Sequence, residues 1–84
     1  MSKLLVEVVA PGNGKTYEFR IDSGISGLKA KQKIIEQILD AEAGGITLSP
    51  EKCLLFHMND GKKLNNGLTL SAQSIRSGST LLLV

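Results

Sequence analysis

An alternating hairpin sequence near the start of the chain constrains the fold more than any other feature. Residues 4–10, LLVEVVA, are rich in β-branched side chains, and residues 16–21, TYEFRI, alternate apolar and polar side chains. Between them lies PGNGK, residues 11–15, whose Asn-Gly pair accepts the positive φ angles of a tight turn. The sequence therefore predicts a β-hairpin with one half-buried face. The side chains predicted to share a face are Leu4, Val6 and Val8 on the first strand and Tyr17, Phe19 and Ile21 on the second.

The next segment, residues 22–45, changes from a strand-like to a helical period. We predict a helix from about Ile25 to Glu42, with an N-cap side chain just before it and Gly44-Gly45 as its stop. The candidate N-cap residues are Asp22, Ser23 and Ser26. The apolar side chains predicted to face the core are Ile25, Leu28, Ile35, Ile38 and Leu39.

The second half of the chain contains three further strand-like stretches. Residues 52–58, KCLLFHM, read as a strand, and residues 59–63, NDGKK, as a turn. A short strand at KLNNG and a compact connection lead to a closing strand, STLLLV, at residues 79–84. A hairpin, a helix and then more strands predict a single α+β domain over residues 1–84, with the helix packed on one face of a mixed sheet.

Length, charge and cysteine content exclude several classes of function. The 84 residues suffice for one small core, and ten basic and eight acidic residues are scattered along the chain, which argues against nucleic-acid binding. No apolar run approaches the ~20 residues of a membrane span, so we expect no direct membrane insertion. The lone Cys53 indicates a reducing compartment or an incidental buried thiol, and we expect a cytoplasmic protein.

No residue pattern in the sequence indicates catalysis or cofactor binding. His57 stands alone, so a metal site lacks ligands, and we expect it to be a surface or half-buried side chain. Cys53 and His57 would lie roughly 13 Å apart along one strand, too far for a nucleophile and its base. A hairpin turn accounts for the residues GNGK without a phosphate site. We therefore expect no enzyme, no metal and no cofactor.

Several stretches resemble ubiquitin in the same order along the chain. Residues 14–31, GKTYEFRIDSGISGLKAK, resemble the ubiquitin segment from the first hairpin turn into the helix. LSPEKCLLF, GKKLNNGLTLSAQSI and STLLLV resemble its third strand, the following turn region and its last strand. The resemblance implies a β-grasp, ubiquitin-like fold.

A narrower resemblance concerns the YukD/EsaB family of small bacterial ubiquitin-like proteins. Residues 4–22 and the segment SIRSGSTLLLV, residues 74–84, are similar to members of that family, which lack a C-terminal Gly-Gly. The resemblance implies a cytosolic accessory component, or a module on a membrane component, of a type VII secretion system. Two alternatives stay open: a modifier or sulfur carrier of the ThiS/MoaD type whose tail is absent from the chain, and a ubiquitin-like module of a larger protein.

Strand alternation predicts a partner-binding surface on the outer face of the sheet. If Leu54 and Phe56 point into the core, Leu55 and His57 point outward. If Leu81 and Leu83 point in, Leu82 and Val84 point out. The predicted patch consists of Leu5, Leu55, His57, Leu82 and Val84.

By the ubiquitin resemblance, Leu55 and Val84 correspond to members of its hydrophobic recognition patch, and Leu82 replaces the histidine between them. We expect a protein partner on this face. Alternatively, a homodimer or a loop covers it, or the aliphatic side chains are ordinary surface residues.

Overall fold

A computed structural model of the chain describes residues 3–12, 14–43, 45 and 48–84. The described residues form a five-stranded mixed sheet in the order β2-β1-β5-β3-β4, with β1 and β5 parallel and the other pairs antiparallel. A helix packs across one face, as the sequence predicted. In chain order the elements are β1 (Lys3–Ala10), β2 (Lys15–Asp22), α1 (Gly27–Glu42), β3 (Leu55–His57), β4 (Lys62–Lys63), a 3-10 turn (Ser71–Gln73) and β5 (Thr80–Leu83).

The β1–β2 hairpin confirms the alternation read from the sequence. Ala10 pairs with Lys15 at the turn, and the Gly14 N–H donates to the Ala10 carbonyl at 3.0 Å. Gly14 has a φ of 71°, a left-handed conformation that glycine adopts without steric cost. Asn13, the other half of the predicted turn pair, lies outside the described residues. The inner face carries the side chains expected there, namely Leu4, Val6, Val8, Phe19 and Ile21, all buried, with Tyr17 half-buried.

Helix α1 begins two residues later than predicted, because Ser26 is its cap. The Ser26 side chain accepts from the Lys29 N–H at 3.2 Å, which satisfies an amide that has no partner inside the helix. After Glu42 the helix ends at Ala43 in a left-handed conformation, with φ at 51°. Of the predicted Gly44-Gly45 stop, Gly44 lies outside the described residues.

The buried face of α1 differs in part from the predicted stripe. Ala30, Ile34 and Ile38 are each at most 1% exposed, and their spacing of four residues places them in one row against the sheet. Leu28, expected in the core, is 39% exposed. Lys31 is buried beside this row, and its Nζ donates to the Cys53 carbonyl at 3.2 Å, which joins the helix to the segment before β3.

The side-chain orientation predicted for β3 is wrong. Leu55 pairs with Leu83 and His57 pairs with Leu81, and both leucines of β5 face the core. Residues directly opposite each other in a sheet point to the same face, so Leu55 and His57 are buried, at 2% and 6% exposure. Consequently Leu54, 37% exposed, and the half-buried Phe56 lie on the outer face instead.

The last turn of α1 is tied to β2 by a charged cluster. The Lys15 Nζ lies 2.8 and 2.9 Å from the two carboxylate oxygens of Glu42, and the Tyr17 hydroxyl donates to Glu42 at 2.7 Å. Donation from Lys15, and then from Tyr17, holds the pKa of Glu42 below its ordinary value of 4.5. The same contact raises the pKa of Lys15 above 10.5.

These pKa directions predict a loss of stability in acid. A carboxyl group with a lowered pKa in the folded state stabilises the fold above its unfolded pKa, and that stability is lost as the pH falls through the folded value. We therefore expect the free energy of unfolding to fall more steeply between about pH 5 and pH 3 in the parent protein than in Glu42→Gln. Urea unfolding across a pH series measures both slopes. The control Glu36→Gln, at an exposed helix position, keeps the parent slope, and equal slopes for the parent and Glu42→Gln would contradict the prediction.

Candidate protein-interaction surface

The outer face of the sheet carries a row of apolar side chains across its three central strands. Val9 of β1 pairs with Leu82 of β5, and Leu82 pairs with Phe56 of β3. Beside this row, the Leu54 N–H donates to the Val84 carbonyl at 2.7 Å, and the Val84 N–H donates back at 2.9 Å. We call this surface the outer-face patch. It consists of Val9, Leu54, Phe56, Leu82 and Val84.

The exposure of the outer-face patch makes it available to a partner. Val84 is 54% and Leu54 is 37% exposed, while Val9, Phe56 and Leu82 are half-buried by their neighbours in the sheet. A run of adjacent apolar side chains on an open sheet face differs from single aliphatic residues scattered over a surface. Its contact with water makes the patch a candidate docking surface.

Only two of the five residues predicted for the patch lie in it. Leu82 and Val84 do, whereas Leu55 and His57 are buried in the core as described above. Leu5 is 47% exposed and on the outer face, but its carbonyl accepts from the Gly78 N–H, so it lies at the far end of the sheet from Leu82.

The residues that the sequence prediction missed are Val9, Leu54 and Phe56. Their place in the patch follows from strand register, because Val9 and Phe56 are the direct partners of Leu82. An alignment with ubiquitin that placed Phe56, instead of Leu55, opposite Leu82 would have given that register. Alternation within the run of apolar residues at 53–56 could not, because both of its faces are apolar.

Charged residues of opposite sign lie at the two ends of the outer-face patch. Lys63 of β4 lies directly opposite Phe56, so a cation stands at one end of the apolar row. The other end of the row is Val9 of β1. Two residues before it, Glu7 lies directly opposite Glu18 of β2 and next to Thr80 of β5. Two carboxylates placed opposite each other repel, which favours a cation from outside the sheet at this position.

His57 belongs to a buried polar cluster beneath the sheet. The Ser79 Oγ accepts the Arg76 N–H at 2.9 Å and forms a second hydrogen bond, 3.2 Å long, with His57 Nε2. The other ring nitrogen, Nδ1, lies 3.4 Å from Asp60 Oδ2 in a contact that is not a hydrogen bond. The cluster links β3 to the residue before β5.

The same cluster contains serine, histidine and aspartate but does not resemble a working nucleophile. Ser79 and His57 are both 6% exposed, and a nucleophile must contact its substrate directly. The pKa of Asp60 lies below its ordinary value of 3.8, chiefly because the Lys62 N–H donates to its carboxylate at 3.0 Å and next because of the His57 charge. The arrangement therefore supports a structural role for these side chains.

Two further findings concern only the part of the chain that the structure describes. Its His, Cys, Asp and Glu side chains form no group of three or more that could hold a metal ion. Its single α-helix is too short and too polar to cross a membrane.

Comparison with solved structures identifies the architecture. The ubiquitin of Caldiarchaeum subterraneum is similar over 98% of this chain and 91% of its own length, with a TM-score of 0.77 and 17% identity. The fold is the ubiquitin-like β-grasp. A ubiquitin-like domain of the Arabidopsis thaliana protein At2g32350 matches all of this chain and 78% of its own, with a TM-score of 0.78 and 18% identity.

A third β-grasp structure, the N-terminal ubiquitin-like domain in the 4931431F19Rik protein, covers 98% of this chain and 73% of its own, with a TM-score of 0.77 and 22% identity. No protein-family model matches the sequence, and no curated protein sequence matches it. At these identities the structural likeness establishes the β-grasp fold alone, so function has to be argued from the surface.

Proposed function

We propose that this ubiquitin-like domain is a non-enzymatic interaction module that docks a protein partner through the outer-face patch. The observation that carries the proposal is the unbroken row of paired apolar residues from Val9 through Leu82 to Phe56, with Leu54 and Val84 beside it. Removing a well-exposed aliphatic side chain from water contributes about 1.5 kcal/mol or more. Leu54 and Val84 are such side chains, and together with the half-buried Val9, Phe56 and Leu82 they are enough to form the centre of an interface.

The charges around the patch support a partner of defined chemistry. Lys63 at one end of the apolar row favours an acidic group on the partner, and the Glu7–Glu18 pair near the other end favours a basic group. An apolar segment with unlike charges at its two ends satisfies both. Such charges determine the orientation of docking, while the apolar side chains supply the affinity.

The narrower part of the proposal is that the protein is a cytoplasmic accessory component of a bacterial type VII secretion system. Its support is the resemblance of residues 4–22 and 74–84 to the YukD/EsaB family. On this proposal, the partner is a component of the secretion apparatus.

A second candidate is a ubiquitin-like module within a longer protein. Two of the similar structures are named as ubiquitin-like domains of other proteins, which favours this candidate. The genomic reading frame and its neighbours distinguish the two candidates. Secretion genes beside a short frame support the accessory protein, and a frame that continues into another domain supports the module.

Replacing outward apolar residues of the patch with aspartate tests the docking surface. We expect Leu82→Asp and Phe56→Asp each to weaken partner binding by roughly tenfold or more, because each places a charge in the contact. The partner is first identified by photo-crosslinking from position 82 in the native host, and its affinity for each variant is then measured by calorimetry with the purified protein.

Leu5→Asp is the control, since Leu5 is an outward leucine, 47% exposed, that lies off the patch. We expect its affinity to stay within about twofold of the parent, and circular dichroism to show that all three variants are folded. Equal weakening by Leu5→Asp and Leu82→Asp, or no weakening by Leu82→Asp, would refute docking through the patch.

A further inference from the structure

The strand order places β5 at the centre of the five-stranded sheet. β1 and β3 flank β5, and β2 and β4 lie at the two edges. Leu82 of the outer-face patch is therefore on the central strand, with Val9 of β1 on one side and Phe56 of β3 on the other. A half-turn about an axis along β5 exchanges β1 with β3 and β2 with β4. Two copies of the chain related by this half-turn would face each other patch to patch.

Under this half-turn the apolar residues of the patch complement each other in size. Leu82 of one copy faces Leu82 of the other, and Phe56 of each copy faces the smaller Val9 of the other. Sheets that pack face to face with nearly aligned strands lie about 10 Å apart, and side chains of both faces fill the space between them. A large residue opposite a small one fills that space more evenly than two large residues would.

The charged residues at the two ends of the patch match under the same half-turn. Lys63 of β4 lies beside Phe56. On β2, Thr16 lies beside Val9, and Glu18 follows two residues later on the same face. Because the half-turn exchanges β4 with β2, Lys63 of each copy faces Thr16 of the other. Glu18 is then about 7 Å further along the strand, a distance that an extended lysine side chain bridges.

These charges are not neutralised within the described ranges of the chain. Glu7, Glu18 and Lys63 form no ion pair there. Glu7 and Glu18 lie directly opposite each other, which is unfavourable for two carboxylates, and Lys63 of a second copy would place a cation beside them. Because a two-fold interface repeats every contact, this favourable contact occurs twice in a dimer.

The other two-fold arrangement of the same faces is unfavourable for these charges. A half-turn about an axis that runs across the strands leaves each residue of the apolar row opposite itself. Lys63 would then face Lys63, and Phe56 would face Phe56. Like charges placed together across an interface repel, so the charges favour the arrangement in which the two β5 strands run parallel.

We propose that a second copy of the chain covers the outer-face patch in the free protein, with the two β5 strands parallel and Lys63 of each copy beside Glu18 of the other. This inference rests on the docking surface of the proposed function and names its occupant when no other partner is bound. Because one face serves both contacts, a partner has to displace the second copy. The apolar centre is small, so we expect a dissociation constant in the micromolar range or weaker.

Charge reversal on each side of the contact tests the arrangement, with dimer affinity measured by sedimentation equilibrium. Lys63→Glu and Glu18→Lys should each weaken the dimer roughly tenfold or more, because each homodimer then brings like charges together twice. An equimolar mixture of the two variants should regain an affinity within about threefold of the parent, because both contacts then join unlike charges. Both positions are exposed, and Glu18→Lys places a lysine opposite Glu7, so we expect both variants to fold.

Lys52→Glu, at an exposed residue outside the patch, is the charge-matched control and should dimerise like the parent. On dilution of the parent, we expect amide chemical shifts to change at Val9, Phe56 and Leu82. A parent that stays monomeric at about 1 mM, a mixture no tighter than the single variants, or shifts centred elsewhere would overturn the inference. A monomeric parent would leave partner docking intact, and a dimer restored by mixing would stand even if no other partner binds the patch.

Discussion

Leu55→Asp is expected to unfold the protein. Leu55 is 2% exposed and lies opposite Leu83 on the core face of the sheet, so an aspartate there would be buried among apolar side chains with no partner. An unpaired buried carboxylate costs at least about 4 kcal/mol, and losing the packing of a leucine adds to that cost. The free energy of unfolding of a domain is typically about 5–15 kcal/mol, and a domain of this size lies toward the lower end. Circular dichroism and urea titration measure the loss.

The neighbouring substitution Phe56→Asp is the control for that prediction. Phe56 lies on the outer face between Leu82 and Lys63, where an aspartate stays in water and faces a lysine. We expect it to lower the free energy of unfolding by only about 1–2 kcal/mol, for the lost contacts of a half-buried side chain, so that the protein stays folded. A folded Leu55→Asp together with an unfolded Phe56→Asp would show that β3 has the opposite orientation.

The hairpin and the helix could be predicted because their residues carry a clear period. In β2, polar residues separate Tyr17, Phe19 and Ile21, so only one face can be buried. In β5, the four-residue apolar run gives no such separation, yet the prediction that Leu81 and Leu83 face inward is confirmed. There the ubiquitin resemblance supplied the position of the strand in the sheet.

In β3 alternation does not show which face is buried, because residues 53–56 are all apolar. Either the odd-numbered or the even-numbered side chains could form an apolar inner face. The deciding interaction is non-local: Leu55 and His57 must pair with Leu83 and Leu81, whose orientation is fixed by their position beside β1. A histidine is also seldom fully buried, and the buried His57 needs a hydrogen-bond partner, which is Ser79, 22 residues away. Neither constraint is visible in a local window of sequence.

The contribution of the long connection before β5 to the core could not be predicted either, because it depends on tertiary contacts. Leu70 and Ile75 in this connection are at most 2% exposed and complete the core. The segment 65–69 also meets the start of α1: the Gly27 N–H donates to the Leu68 carbonyl at 2.9 Å, and Ser26 bridges to Thr69. Such a close backbone contact is only possible if the helix begins with a small residue, which explains why glycine stands at position 27.

Gly27→Ala is accordingly expected to destabilise the protein, although alanine is the better helix former. In an open helix position the change would stabilise by roughly 0.5–1 kcal/mol. Here the new Cβ would overlap the Asn65 backbone oxygen and lie 3.0 Å from the Asn65 carbonyl carbon, so the helix start and the 65–68 backbone must separate. We expect a net loss of about 2–3 kcal/mol in the free energy of unfolding, measured by urea titration with an unchanged m-value.

Gly67→Ala, on the other side of the same contact, distinguishes this overlap from a general sensitivity of the segment. A Cβ at Gly67 would meet only the Asn65 side-chain oxygen at 3.5 Å, an ordinary van der Waals distance. We expect this variant to stay within about 0.5 kcal/mol of the parent. If both variants lose the same stability, the close approach at Gly27 is not the cause. If Gly27→Ala is as stable as the parent, the contact between the helix start and the connection does not hold the fold together.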